Sequence, residues 1–237
     1  MARLISRRLL PCCAILAGLC VATPTIAADT VPDTIAQRVI ACTACHGKEG
    51  AASSDGIYPR IAGKPQTYLF NQLLNFRDGR RQYPLMSYLL ANLSDAYLHE
   101  IASYFSQQHP PYSPPQPPTA TAAILARGHT LVWQGDTSKQ VPACIACHSK
   151  NLAGMTPAIP GLIGLPHDYI NAQFGAWKNG VRKAHAPDCM AQITARLSLA
   201  DINAVSSWLA TQAVSDTARP AAADTAKLPL SCGSVTP

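Results

Sequence analysis

No apolar run in this 237-residue chain is long enough to cross a bilayer. The best candidate, Leu9 to Ala22, is broken by Pro11 and falls short of the roughly 20 residues that a spanning helix needs. Arg3, Arg7 and Arg8 precede it and the small residues of Thr25-Ile26-Ala27 follow, so it reads as an export signal over residues 1–27, cleaved near Ala27 or Ala28. A lipid anchor at Cys20 is disfavoured because Leu19 stands where a small residue is needed. The expectation is a periplasmic protein with no integral membrane segment after signal cleavage. Basic runs are missing as well. The signal takes three arginines with it, so the formal charge falls from +6 to +3. No recognisable nucleic-acid motif remains, and nucleic acid is excluded as a partner.

Cysteine is not scarce, but its distribution is telling. Of nine cysteines, Cys12, Cys13 and Cys20 leave with the signal. Four of the remaining six fall in two pentads, Cys42-Thr43-Ala44-Cys45-His46 and Cys144-Ile145-Ala146-Cys147-His148. A tetrahedral zinc site needs four ligands, usually with a second Cys or His pair about 12–20 residues on, and neither half has one. A redox dithiol has no use for the trailing histidine, least of all twice. Two thiols at helical spacing can instead form thioethers to the vinyl groups of a haem, and the imidazole that follows then falls over the iron as its proximal ligand. Two covalently attached haem c groups are therefore expected. Their four propionates would bring the mature chain close to neutral.

The pentads belong to a longer internal repeat. A shift of 102 residues superimposes them, 101 superimposes Pro59 and Tyr68 on Pro160 and Tyr169, and 104 superimposes Met86 and Leu93-Ser94 on Met190 and Leu197-Ser198. Between the copies runs His109-Pro110-Pro111-Tyr112-Ser113-Pro114-Pro115-Gln116-Pro117-Pro118, a stretch suited to an extended connector rather than to helix or central strand. This predicts a first domain at 28–108, a linker at 109–118, a second domain at 119–213 and a tail at 214–237.

Both halves share one helical grammar, and the expected fold is all-α. A helix leads into each pentad, about Asp33 to Cys45 and Thr121 to Gln134. A second starts at Pro65 or Pro166 and stops at Gly79 or Gly180. A third starts at a Ser cap, Ser94 or Ser198, and carries an apolar stripe: Leu98, Ile101, Tyr104 and Phe105 in one half, Ile202, Val205, Trp208 and Leu209 in the other. The haem supplies much of each core, because domains of roughly 80–100 residues bury a limited fraction of their surface unaided.

Methionine is the scarcest informative residue. After Met1 there are only Met86, Met155 and Met190. Met86 and Met190 stand at matching repeat positions between the second and third helices, whereas Met155 is seven residues from His148 and badly placed for the opposite face of the same haem. An isolated methionine is more often core filler than ligand, but a matched pair in a Met-poor chain favours His46/Met86 at one iron and His148/Met190 at the other. The competing arrangement is a bis-histidine or open site. His99, His109, His129, His167 and His185 are spare, but none recurs in the repeat; His185 is the exception to test, being five residues before Met190.

The whole mature chain resembles the dihaem cytochrome c4 family, built of two class I cytochrome c domains in tandem. The resemblance is carried by Pro59-Arg60-Ile61-Ala62-Gly63-Lys64, by Gln72-Leu73-Leu74-Asn75-Phe76-Arg77-Asp78-Gly79-Arg80-Arg81, by Val141-Pro142-Ala143-Cys144 and by Met190-Ala191-Gln192-Ile193. It implies that the Pro59 and Pro160 carbonyls accept hydrogen bonds from the proximal imidazoles, fixing ring orientation and basicity. It also implies that the two domains face each other with their propionate edges close. The chain departs from the family pattern at Cys189 and Cys232, which in an oxidising compartment can either pair, tying the tail over the Met190 loop, or remain free thiols. Arg77, Arg80 and Arg81 become Lys178, Val181 and Arg182 in the second half, which predicts unequal haem potentials.

An iron with all six positions filled has no vacancy for substrate, so the predicted function is electron transfer. The partners expected are a redox-protein donor and acceptor, among them a membrane oxidase or a dehydrogenase. A permanent haem subunit of a dehydrogenase, such as a flavocytochrome that oxidises sulfide, is the alternative. A dihaem peroxidase ranks below both, because it needs an open iron and each half offers a methionine.

Overall fold

The computed structural model describes residues 32–53, 56–222 and 228–235; the expected export signal lies outside them. Among the described residues no helix is long and apolar enough to cross a membrane.

The helix that leads into the first pentad is two short ones. Ile35–Arg38 (α1) is capped by Thr34, whose hydroxyl accepts from the Gln37 amide, and Val39 breaks it before Ile40–His46 (α2). Gln66–Arg77 (α3) follows Pro65 and gives way at Gly79, where φ is +78° and glycine alone is unstrained. Pro84–Leu90 (α4) starts on a proline, and Asp95–Ser106 (α5) starts on the Ser94 cap. In the second half Thr121 caps Ala122–Trp133 (α6) and Gln134 closes it, matching the expected bounds. A turn around Asp136 intervenes, and the motif has its own short helix, Ile145–His148 (α7). His167–Lys178 (α8), Cys189–Arg196 (α9) and Leu199–Ala210 (α10) then repeat the grammar of the first half. One two-residue antiparallel pair, Gly154–Met155 (β1) with Ile159–Pro160 (β2), interrupts an otherwise all-α fold.

Each half closes over its own apolar cluster. In the first, Leu98, Ile101 and Phe105 of α5 meet Leu69 and Phe76 of α3 and Val39. In the second, Ile202, Val205 and Leu209 of α10 meet Leu131 and Val132 of α6. Full burial of such side chains contributes roughly 1.5–3 kcal/mol each. The start of α10 is fixed to α6 by charge: Asp201 accepts from Arg127 at 2.9 Å and from Lys139 at 2.5 Å. Burial pushes the Asp201 carboxyl up, but the hydrogen bonds from Lys139, Ser198 and Arg127 outweigh it and hold the group below the usual carboxylate range.

The crossing of α6 and α10 depends on Gly128. A Cβ there would lie 2.1 Å from the Ala204 carbonyl oxygen and 2.7 Å from Trp208 Cβ. Gly128→Ala, elsewhere a gain in helix propensity, should here force the helices apart and destabilise the second half by about 1–3 kcal/mol. Denaturant unfolding followed by far-UV circular dichroism checks this; an unchanged midpoint would contradict it.

The proline-rich segment 109–118 has neither helix nor strand and is anchored along its length. Arg60, buried and stacked on the Tyr112 ring at 3.9 Å, donates to the carbonyls of Pro110 at 2.6 Å and Pro111 at 3.0 Å. Further on, the Gln116 amide donates to the Ala210 carbonyl at 3.0 Å.

Candidate functional site

Cys42 and Cys45 stand one turn apart on α2, with His46 as its last residue. Cys144 precedes α7, which holds Cys147 and His148. None of the four thiols is paired. Burial pushes the Cys42 and Cys147 thiols up and lifts Cys144 to about 12. A thiol–disulfide exchange centre needs the opposite, a depressed value that populates thiolate.

The two imidazoles are held alike. His46 Nδ1–H donates to the Pro59 carbonyl at 2.9 Å and His148 Nδ1–H to the Pro160 carbonyl at 2.7 Å. A carbonyl can only accept, so the proton sits on Nδ1 and the Nε2 lone pair is left free. Burial lowers both histidines from the ordinary value, partly opposed by these hydrogen bonds. A neutral imidazole with its Nε2 lone pair exposed is the form that ligates iron.

In the second half His148 faces a largely apolar cavity, lined also by Cys144, Cys147, Pro160, Phe174, Met190 and Leu209. Met155, although buried in β1, is not among its lining residues, whereas His185 is. In the first half Met86 lies on α4 and packs, partly buried, on the same cluster as Cys42. Two free thiols, a histidine with a free Nε2, a thioether and apolar walls are the donor set and surface that a covalently held haem requires.

A seam with local two-fold character joins the halves. The Gln82 amide donates to the Val181 carbonyl and the Lys183 amide to the Arg80 carbonyl, both at 2.7 Å, with Arg81 and Arg182 paired antiparallel between them. Arg81 lies over the Phe76 ring at 4.4 Å and Arg182 over the Trp177 ring at 3.8 Å. Arg81 donates to Gln173 at 2.7 Å and Gln72 at 2.9 Å; Arg182 donates to the same two side chains at 2.7 Å and 3.3 Å. Neither guanidinium has a carboxylate partner among the described residues. Burial and the neighbouring Arg81 lower Arg182 to about 10, so it stays charged at neutral pH.

The tail returns to the second cavity. Cys189 and Cys232 form a disulfide with a Cα–Cα separation of 5.1 Å, and Leu230, Ser234 and Val235 join the cavity lining. The Gly233 amide donates to the Pro187 carbonyl at 2.9 Å, and Asn71 of α3 donates to the Ser234 carbonyl at 3.1 Å.

Sequence reasoning treated the arginines only as charged surroundings and passed over the glutamines. The signal was available: Tyr68, Gln72, Phe76 and Arg81 recur as Tyr169, Gln173, Trp177 and Arg182 at a single shift of 101. Three identical residues and one aromatic exchanged for another, in register and with spacing that places them on one helix face and the turn after it, mark a shared surface.

No family model matches the chain. It is 40% identical to a thiosulfate dehydrogenase electron acceptor of Thiomonas intermedia, over 74% of this chain and 80% of that relative. It is 33% identical to a cytochrome c4 of Pseudomonas aeruginosa, over 73% of this chain and 84% of that one. Among solved structures, a thiosulfate dehydrogenase (TsdBA) from Marichromatium purpuratum in its as-isolated form superposes with a TM-score of 0.65 at 29% identity. That match covers 72% of this chain but 36% of the other, so this chain spans about a third of that one's length.

Proposed function

The chain belongs to the dihaem cytochrome c4 family, two class I cytochrome c domains each built around a covalently bound haem c, and on that premise we propose that it carries single electrons in the periplasm from a thiosulfate-oxidising dehydrogenase to a membrane oxidase. The donor is inferred from the 40% identity to a thiosulfate dehydrogenase electron acceptor. Cys42 and Cys45 hold the first haem and Cys144 and Cys147 the second. His46 and Met86 ligate one iron, His148 and Met190 the other. Each haem supplies a one-electron couple.

The protein's own residues do the rest. The Pro59 and Pro160 carbonyls hold the imidazoles in the tautomer that presents Nε2 and raise their basicity as ligands. The thioether sulfurs, soft donors, favour the ferrous state and raise the potential. The walls of the second cavity are largely apolar, and the Arg81–Arg182 seam ties one half to the other. With a methionine available beside the histidine in each half, neither iron would keep a position for a substrate, which supports a carrier over a peroxidase. The observation that carries this function is the His148–Pro160 contact in a largely apolar cavity that Met190 also lines.

Mixing the oxidised protein with a thiosulfate dehydrogenase and thiosulfate should reduce both haems within the enzyme's turnover time, and thiosulfate alone should not. Reduction no faster than with thiosulfate alone would remove the proposed donor. A permanent dehydrogenase subunit is the second possibility, favoured by the match to about a third of the longer thiosulfate dehydrogenase chain; co-elution of enzyme and cytochrome in size-exclusion chromatography distinguishes it from transient exchange.

A further inference from the structure

Lys64 is a cation that neither the ligand sets nor the seam accounts for. It stands in the first half, just after the Pro59 loop, yet lines the cavity of the second half together with His148 and Met190. Its ammonium has no hydrogen bond or ion pair among the described residues. The one acid on the cavity wall, Asp188, is already engaged: its carboxylate accepts from the Ala184 amide at 2.7 Å, the Ala191 amide at 2.9 Å and Trp177 Nε1 at 3.3 Å. The matching residue in the repeat is Leu165, so the second half returns no such charge.

Lys64 is half-buried, and an ammonium held against a largely apolar cavity without an anion carries a desolvation cost that proteins resolve with a counter-charge or by giving up the proton. Burial lowers Lys64 to about 8, with Arg60 adding to the fall and Tyr169 opposing it, so the proton stays on at neutral pH. Arg182, charged and free of carboxylate partners, lines the same cavity. Two uncompensated positive groups there call for an anionic occupant, and a haem brings two carboxylates of its own.

We propose that Lys64 reaches across from the first half to neutralise a carboxylate of the second haem and that its charge sets that haem's potential higher than ligation alone would. Lys64 is thus a positioning and tuning residue for the second centre, donated by the first. A fixed positive charge beside a redox centre disfavours the ferric state, which carries one more positive charge than the ferrous, and so raises the potential. This inference rests on His148 and Met190 as the ligands in that cavity.

The test follows one haem at a time in the intact holoprotein. With Met86→His in the background, only the second haem keeps a sulfur-to-iron charge-transfer band, and its intensity against applied potential reports that centre alone. Adding Lys64→Gln should shift the midpoint to lower potential, with haem content unchanged, and Lys64→Arg should restore most of it. The first haem, followed by its ferrous absorption, should not move. An unshifted midpoint in Lys64→Gln, an equal shift at both haems, or a Lys64→Arg protein that behaves like Lys64→Gln would overturn the role of Lys64 alone. A Met86→His protein with no band at all would instead overturn the ligand assignment, and this inference with it.

Discussion

Exchanging Met190 for leucine should remove half of the sulfur-to-iron charge-transfer absorption of the oxidised protein and leave the other half intact. The same variant should lower the potential of one haem by on the order of 0.1 V, a fraction of the roughly 0.8 V over which axial ligands tune haem iron. Leucine nearly matches methionine in volume, so the core cost stays below about 1.5 kcal/mol and the spectrum reports ligation rather than unfolding. Met190 and His148 line one cavity while Met155 does not, so Met155→Leu should leave the band whole. His185 is the discriminating control because it lines that cavity too. Its backbone amide is tied to Ser234 Oγ at 3.2 Å, and His185→Ala should leave the band and both potentials in place. A band left whole by Met190→Leu, together with a potential shifted by His185→Ala, would transfer the ligand role to the imidazole and return the second haem to bis-histidine ligation.

Local chemistry made the scaffold of this fold legible. Pro65 and Pro166 start their helices, Gly79 and Gly180 stop them with φ near +75°, and Ser94 and Ser198 cap the next pair, each a preference written within a few residues. The pentads were legible for the same reason, since two thiols and an imidazole on one turn need no distant partner to be recognised. The break at Val39 was not. That residue is 1% exposed, and the pull that turns the backbone there comes from the α5 cluster, which a local window does not contain. The separate short helix under Cys144 was missed because the Asp136 turn is held by Arg127 from the preceding helix. Lys64 and the Arg81–Arg182 seam depend on how one half is set against the other, a relation that repeats in register hint at and that only the folded chain specifies. Cys189 and Cys232 were recognisable as unmatched thiols, but their approach across 43 residues is a product of the tail's return to the second cavity.

Replacing Cys189 and Cys232 together by serine should separate the two haems in a way that their shared ligation does not. Closing a loop of 43 residues restricts the unfolded chain by an entropy equivalent to at most about 4 kcal/mol, and native disulfides typically return 2–4 kcal/mol of it. Denaturant unfolding should show a loss of that size, confined to the transition reported by the second haem. The larger consequence is local. Without the covalent tie, the tail is held by single hydrogen bonds such as Gly233 to Pro187 and Asn71 to Ser234, each worth about 1 kcal/mol net. Leu230 and Val235 would then leave the cavity wall part of the time, and the α9 turn that carries Met190 would lose its brace. External imidazole added to the oxidised double variant should therefore displace the sulfur band in two phases, a fast one for half of the absorption and a slow one matching the parent protein. A single slow phase would mean that the tail does not guard the second centre. Two fast phases would mean that the disulfide braces both halves, through Asn71 and the seam, rather than the Met190 loop alone.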